Sequence, residues 1–388
     1  MRAVARAGRH SQSQGPLAGV GVPFHHGSHA HLLHRIDPAA AEPAALDTLD
    51  AVIVPTCRPV GCLREATRLA RGLGCRLVVL CSRSANAVEA AALGAALEAE
   101  VLAIDTTGLS PLPRLVTTGP PEDPRFARDS DLSLKRNLAL RLARVAGWER
   151  VLFLDDDISG ACPAQVRAAA GLLARYPVVG LRNDDRRGYP DNSVVCHAYR
   201  AVGGEQDSFI GGGAVVVAPS RLDSFFPDVY NEDWFVFHGA VPVAVTGQVV
   251  HKPYDPFASP VRARAEEFGD CLAEGLFWRL DEHQREAPTE PDYWRRFLQH
   301  RRDFIDHVLD GLPYCDSKPE QRDRMTASVL AAQRWNSFIT PGACGRYVAA
   351  WRADVERWHD HLAGLPTGLP LAKALSELGL TVRAFQSR

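Results

Sequence analysis

The chain has 388 residues, 46% hydrophobic and 23% charged, a balance typical of globular proteins with room for a large core. Its formal net charge of -2 gives no reason to expect a nucleic-acid partner, so any anion has to be bound in a focused cleft. No run of 18 apolar residues occurs, which argues against a membrane-spanning helix.

The segment MRAVARAGRHSQSQ lacks a continuous apolar stretch, so no secretory signal is expected. Nine cysteines without a CxxC pair suit reduced thiols in a cytoplasmic protein better than a disulfide framework or a zinc cluster. Cys57 and Cys62 lie near the expected active edge but are given no catalytic role.

Residues 1–47 read as a mobile or surface-draped arm rich in Gly, Ser and Pro. Its histidines (His25, His26, His29, His31 and His34) have no fixed ligand spacing and are not read as a metal site. A short helix is expected between Asp37 and Leu49. Residues 48–258 read as the catalytic domain and 259–388 as a mainly helical extension.

The domain opens with AVIVPTCRP, an apolar strand expected to end at Pro55. A helix from Arg64, a strand over 75–84, an alanine-rich helix over 85–99 and a strand from Val101 follow. This alternation predicts an α/β fold: a Rossmann-type α/β/α sandwich with a mixed, mainly parallel central sheet. Ligands of such sheets collect beyond the carboxyl ends of the strands, where Thr56, Arg58, Ser82, Arg83 and Asp105 fall.

A Pro- and Gly-rich stretch from Gly108 to Ser130 reads as a long loop over that edge. The next helix, from Asp131 to Gly147, carries Lys135, Arg136 and Asn137 in its first turns. A basic pair there opposes the helix dipole, which suggests an external anion such as a diphosphate; the alternative is a solvated helix face.

That helix feeds VLFLDDDIS, a buried strand running into Asp155, Asp156 and Asp157. Three adjacent carboxylates raise one another's pKa and are costly to desolvate, so a cation is expected beside them. Mg2+ or Mn2+ with oxygen ligands and substrate phosphates is the economical candidate. Strand alternation would turn Asp155 and Asp157 to one side and Asp156 to the other.

A helix over 163–176 and a strand from Val178 come next. The acidic loop at Asn183, Asp184 and Asp185, with Arg186 and Arg187, reads as a solvated turn, and residues 192–201 have strand character. Gly211, Gly212 and Gly213 precede a hydrophobic strand and suggest close backbone approach to a ligand; their spacing matches neither a dinucleotide fingerprint nor a Walker A loop.

In VYNEDWFVFHG, Glu232 and Asp233 stand beside Trp234 and Phe235 at the start of a helix or turn. Carboxylates against aromatics suit a general acid or base; the alternative is a capped helix start with Asn231 as the cap. The strand from Pro242 ends in His251, a further metal or phosphate ligand, and Lys252, a phosphate counter-ion. Beyond it the aromatics of 259–363 fall at helical spacing and read as core, and a helix over 371–380 precedes the strand-like TVRAF.

The string SLKRNLALRLARVAGWERVLFLDDDI resembles the central signature of nucleotide-sugar-dependent glycosyltransferases of the GT-A fold, family 2-like. VIVPTCRP resembles that family's first strand and loop, the triple glycine its acceptor-side element, and NEDW its Glu-Asp motif. The resemblance spans about residues 50–255, in the family's order.

It implies that Pro55, Thr56, Arg58, Ser82, Arg83, Arg136, Asn137, Asp156 and Lys252 serve the nucleotide or its diphosphate. It further implies that Asp155, Asp157 and His251 hold Mn2+ or Mg2+. Asp233 would be the base, oriented by Glu232, and Gly211, Gly212, Gly213 and Trp234 would lie on the sugar and acceptor side. The implied partners are a UDP-, GDP- or TDP-linked sugar and a small-molecule acceptor. The alternative on the same scaffold is a nucleotide-sugar pyranose/furanose mutase, which needs no acceptor.

Overall fold

Short runs of Val, Ile and Leu bounded by Gly, Pro or charge form the strands, as period and length require. The computed structural model describes residues 29–37, 48–109, 113–184, 192–204, 210–222 and 224–387. Its strands are β1 (Leu33–Arg35), β2 (Ala51–Thr56), β3 (Arg76–Cys81), β4 (Val101–Asp105), β5 (Val151–Leu154), β6 (Ile158–Ser159), β7 (Val178–Asn183), β8 (Ala214–Val217), β9 (Val243–His251) and β10 (Ala384–Gln386).

The strand order is β1-β9-β7-β8-β5-β2-β3-β4-β10, with β6 pairing β9 off this path. β8 runs antiparallel to both β5 and β7, and β10 is antiparallel to β4. The pairings of β2 with β3 and β5, of β3 with β4, and of β9 with β7 and β1 are parallel. The sheet is therefore mixed and mainly parallel, as expected.

Helices α1 (Arg64–Leu73), α2 (Ala87–Ala96), α3 (Leu132–Ala146), α4 (Pro163–Leu172), α5 (Val194–Ala201) and α6 (Glu232–His238) alternate with these strands. The carboxyl-terminal helices are α7 (Pro260–Asp281), α8 (Pro291–Gly311), α9 (Pro319–Asn336), α10 (Pro341–Gly364) and α11 (Leu371–Glu377). One apolar core joins a sheet face to α1, α2 and α4. A second joins the opposite face to α3, α6, α7, α8, α10 and α11, and a third lies among α5, α7, α8 and α9. The result is an α/β/α sandwich whose helical extension shares the core of the sheet. Among the described residues, no helix is long and apolar enough to cross a membrane, and all nine cysteines are unpaired.

Four local expectations are corrected. Pro55 lies inside β2 rather than ending it: the ladder to β5 runs only from Ala51 to Ile53, so Pro55 sits where that ladder has already ended. Residues 194–201 are helical; β7 already has β8 and β9 as neighbours, which leaves no edge for another strand, and Ser193 caps the helix through the Cys196 amide. The stretch after Gly108 contains two short 3-10 turns, Val116–Thr118 and Pro124–Phe126.

The fourth concerns the arm. Residues 33–35 pair with the outer edge of β9, and Leu32 is buried in the core. His29 is buried too, with Nε2 3.1 Å from Glu274 and Nδ1 3.1 Å from Asp281. An unpaired β9 edge and two carboxylates on α7 give this part of the arm a place to dock. His25, His26, Asp185, Arg186, Arg187 and most of the helix expected over 37–49 lie outside the described residues.

Candidate functional site

Strand β5 ends at Leu154, and the three aspartates occupy the turn that follows, closed by the Ile158 amide donating to the Asp155 carbonyl. Strand alternation therefore no longer governs them, and the expected pairing of Asp155 with Asp157 is not what forms. Asp155 accepts both Nη2 contacts of Arg136, at 3.0 and 3.2 Å. Asp156 and Asp157 instead share Arg58, at 3.1 and 2.7 Å.

Asp156 is buried and also accepts the Thr56 hydroxyl at 2.5 Å. Burial pushes its pKa up, against the Thr56 bond and the Arg58 charge, and the Thr56 bond ties it to β2. Pro55, Thr56, Arg58 and the three aspartates line a cleft of about 190 Å3, closed on its other side by Asp131 and Lys135. Arg58, half-exposed, lies across it.

Lys135 is buried, with Nζ donating to the Thr56 carbonyl, Ser82 Oγ and Asp131 at 2.7 to 2.9 Å. Its neighbour Arg136 is buried as well and reaches Glu232 at 2.6 Å and Asp155 through Nη2. Burial alone would lower the Arg136 pKa; Asp155, Glu232 and Asp233 outweigh it and hold the guanidinium charged. Neither basic side chain is a solvated helix face, and Arg136 serves carboxylates of the protein rather than an open anion site.

The same pair explains the glycines. A Cβ on Gly212 would meet Arg136 Nη1 at 2.7 Å and Asp233 Cβ at 3.0 Å, and one on Gly213 would meet Asp155 Oδ2 at 3.0 Å. The Gly212 amide donates to Asp233, and the Asp155 amide to the Gly213 carbonyl. The close approach is therefore to this charged cluster; Gly211 leads into it, half-buried.

Asn231, in the left-handed region at φ 58, turns the chain into α6; its side chain donates to Asp270 on α7 and does not cap the helix. Glu232 and Asp233 thereby point toward Arg136 and Gly212. Trp234 packs on Phe277 and His29, at centroid distances of 4.3 and 5.4 Å.

At the far side of the aspartate turn, His251 is buried, its Nδ1 donating to the Lys252 carbonyl at 2.7 Å, which leaves the Nε2 lone pair facing Asp157 Oδ2 at 3.7 Å. The His251 amide is anchored by Asn183. Lys252 Nζ donates to the Asp156 carbonyl, and its amide to the Asp157 carbonyl.

The expected site residues thus divide. Thr56, Arg58, Asp156, Asp157, His251 and Lys252 converge around one turn. Arg136, Glu232, Asp233, Gly212 and Gly213 form a second, mainly buried cluster behind it, and Asp155, which also lines the cleft, joins the two. Asn137 is engaged on both sides by the Phe226 backbone, at 2.7 and 2.8 Å, and has no role at the cleft. Neither Ser82 nor Arg83 lines the cleft: Ser82 is buried under Lys135, and Arg83 turns outward to Asp129.

Among the described residues, no group of three or more His, Cys, Asp or Glu side chains could hold a metal ion by itself. Asp157 and His251 are the two that fit one: a carboxylate and an imidazole in the metal-ready tautomer, with the remaining positions left to phosphate oxygens and water. Asp155 does not fit, because Arg136 takes both of its oxygens. Asp131 is the contributor that the sequence alone does not single out, although its i,i+4 spacing to Lys135 was an available signal; Asn183, expected in a solvated turn, anchors His251 instead. A comparison with protein-family models finds no match to this chain, and a search of curated proteins finds none either.

Proposed function

We propose that the cleft beyond β2 and β5 takes the diphosphate of a nucleotide sugar together with Mn2+ or Mg2+, and that the protein transfers the sugar to an acceptor hydroxyl. The observation that carries this reading is the Asp157–His251 pair, 3.7 Å apart with the His251 lone pair turned inward, at the mouth of a cleft crossed by Arg58. In that reading the bound cation neutralises the charge that grows on the leaving diphosphate.

Arg58 holds Asp156 and Asp157 until phosphate oxygens compete for it, and Lys252 adds a second positive charge beside the same turn. Asp233, held by the Gly212 amide and close to Arg136, is the candidate base on the opposite side, with Glu232 fixing the guanidinium between them. The cleft is smaller than the roughly 300 Å3 at which ligand sites usually begin, so Arg58 has to swing outward on binding.

The test is thermal stabilisation by UDP, GDP and TDP with and without Mn2+, followed by incubation with the matching sugar nucleotides. Metal-dependent stabilisation by one nucleoside diphosphate, and release of that diphosphate from its sugar nucleotide, are expected. No stabilisation by any of them would sink the reading. Conversion of a donor into an isomer without release would replace it with the mutase.

A further inference from the structure

A second and larger cavity, about 520 Å3, lies on the other side of the Glu232 cluster, between the 116–126 loop, Asp228 and the carboxyl-terminal helices. Its size falls in the usual range of small-molecule sites, about 300–1,000 Å3. Phe126 and Phe268 stack on its wall at 4.4 Å and 14°, and Tyr347 meets Phe268 edge-on at 5.6 Å.

Two polar atoms on that wall, Asp228 Oδ1 and Tyr347 Oη, are buried and make no hydrogen bond with any described residue. A buried oxygen without a partner costs about 1–3 kcal/mol, so both call for a ligand group or water that can donate and accept. Burial first, and the Asp228 charge second, hold the Tyr347 phenol above its ordinary pKa; the phenol is therefore a donor at neutral pH.

The charge pattern narrows the class. A cationic ligand would meet Arg125 and Arg346 at the rim, and Asp228 already feels the charge of Arg128 from outside the cavity. An anionic ligand would meet Asp228 itself and the rim carboxylates of Glu122 and Asp123. The rim charges are moreover paired with each other, Arg346 with Glu122 and Arg125 with Asp123. What is left inside is one unsatisfied acceptor, one unsatisfied donor and the face of Phe126 turned away from Phe268.

We infer that this cavity is a binding site for a neutral, polyhydroxylated ring, with a ligand hydroxyl donating to Asp228 and accepting from Tyr347 while the C–H face of the ring lies on the face of Phe126 turned away from Phe268. A sugar ring or a cyclitol has this combination of an apolar face and equatorial hydroxyls. The inference does not rest on the nucleotide-sugar reading of the cleft, and its test uses no nucleotide.

The full chain is titrated with methyl α-glucopyranoside, methyl α-galactopyranoside, methyl α-mannopyranoside and myo-inositol, with choline and acetate as charged comparators. Saturation-transfer NMR identifies which protons lie against the protein, and calorimetry gives the affinity. At least one neutral ring is expected to bind, with saturation strongest on its ring C–H protons. Tyr347→Phe, which removes only the hydroxyl, and Asp228→Asn are each expected to weaken it by about fivefold, and Phe126→Ala by about tenfold.

The inference is overturned if none of the four neutral compounds binds at about 20 mM, a concentration that detects even millimolar affinity. It is equally overturned if a neutral ring binds all three variants as tightly as the parent chain, or if choline or acetate binds more tightly than every neutral ring. Urea midpoints of the variants accompany the titrations, and Tyr347→Phe is the decisive one because it keeps the shape of the wall.

Discussion

Arg136 Nη1 and Glu232 Oε1 stand 2.6 Å apart in a fully buried ion pair that ties α3 to the first residue of α6. With Nη2 shared between the two oxygens of Asp155, this one guanidinium fixes both acidic motifs relative to each other. Breaking such a pair leaves carboxylates buried without compensation, whereas the intact pair adds little net stability.

Arg136→Met should therefore lower unfolding stability by about 3–5 kcal/mol, read from the urea midpoint at unchanged slope. Adding Glu232→Gln to it should restore part of that loss, since one of the stranded charges is removed. Strictly additive losses in the double variant would contradict a shared ion pair.

The division of the aspartates gives a second expectation. Asp157→Asn and His251→Ala should each weaken Mn2+-dependent diphosphate binding by at least about tenfold, with little change in stability without metal. Asp155→Asn should do the reverse, leaving Mn2+ dependence intact and lowering the urea midpoint, because it frees part of Arg136. Asp233→Asn should keep diphosphate binding and lower turnover. Equilibrium dialysis with Mn2+ and UDP separates these outcomes; equal loss in the Asp155 and Asp157 variants would restore the paired-aspartate arrangement.

Asp228 makes a pH prediction. Burial pushes its carboxyl from 3.8 up to about 6, against the Arg128 charge. A carboxyl raised in the folded state is penalised when ionised, so the penalty is full above about pH 6 and is relieved as pH falls toward 4. Asp228→Asn should then be more stable than the parent at pH 8 by about 2–3 kcal/mol, and the gain should vanish near pH 4. Denaturant curves of the two proteins across that window measure it, and a constant difference would exclude titration of Asp228 as its source.

These tests turn on features that were unequally legible in the sequence. The strands were readable because each is a local apolar run, and the aspartate turn was locatable because it interrupts one. Its orientation was not, since alternation holds only while the strand lasts and β5 stops at Leu154. Arg136 was singled out for its unfavourable place in a first helical turn, but its partners are 19 and 96 residues away in sequence, a distance that local pattern does not carry. Residues 194–201 read as a strand because β-branched Val194 and Val195 favour one, but β8 and β9 already flank β7 on both sides, and the segment forms a helix. The Asp228 cavity joins segments from 116 to 350, none of which carries a motif by itself.

The arm at His29 supplies the last prediction, and it follows from the same kind of long-range contact. Burial pulls the imidazole pKa down, but hydrogen bonds and charges from Asp281 and Glu274 prevail and raise it from 6.5 to about 9. A histidine raised in this way contributes stability that is complete below its unfolded value and is lost as pH rises through the folded one. The window is therefore pH 6.5 to about 9, and the shift corresponds to about 3 kcal/mol for so deeply buried a group. His29→Gln should be less stable than the parent at pH 6 by that order, and the gap should close by pH 9.5, where the parent imidazole is neutral. Because His29 sits four residues before β1, whose one sheet partner among the described residues is β9, the gap should be largest when amide exchange of residues 33–35 is followed in both proteins at each pH. A gap that persists unchanged at pH 9.5 would mean that packing on Trp234 and Phe277, not the charge, is what holds the arm.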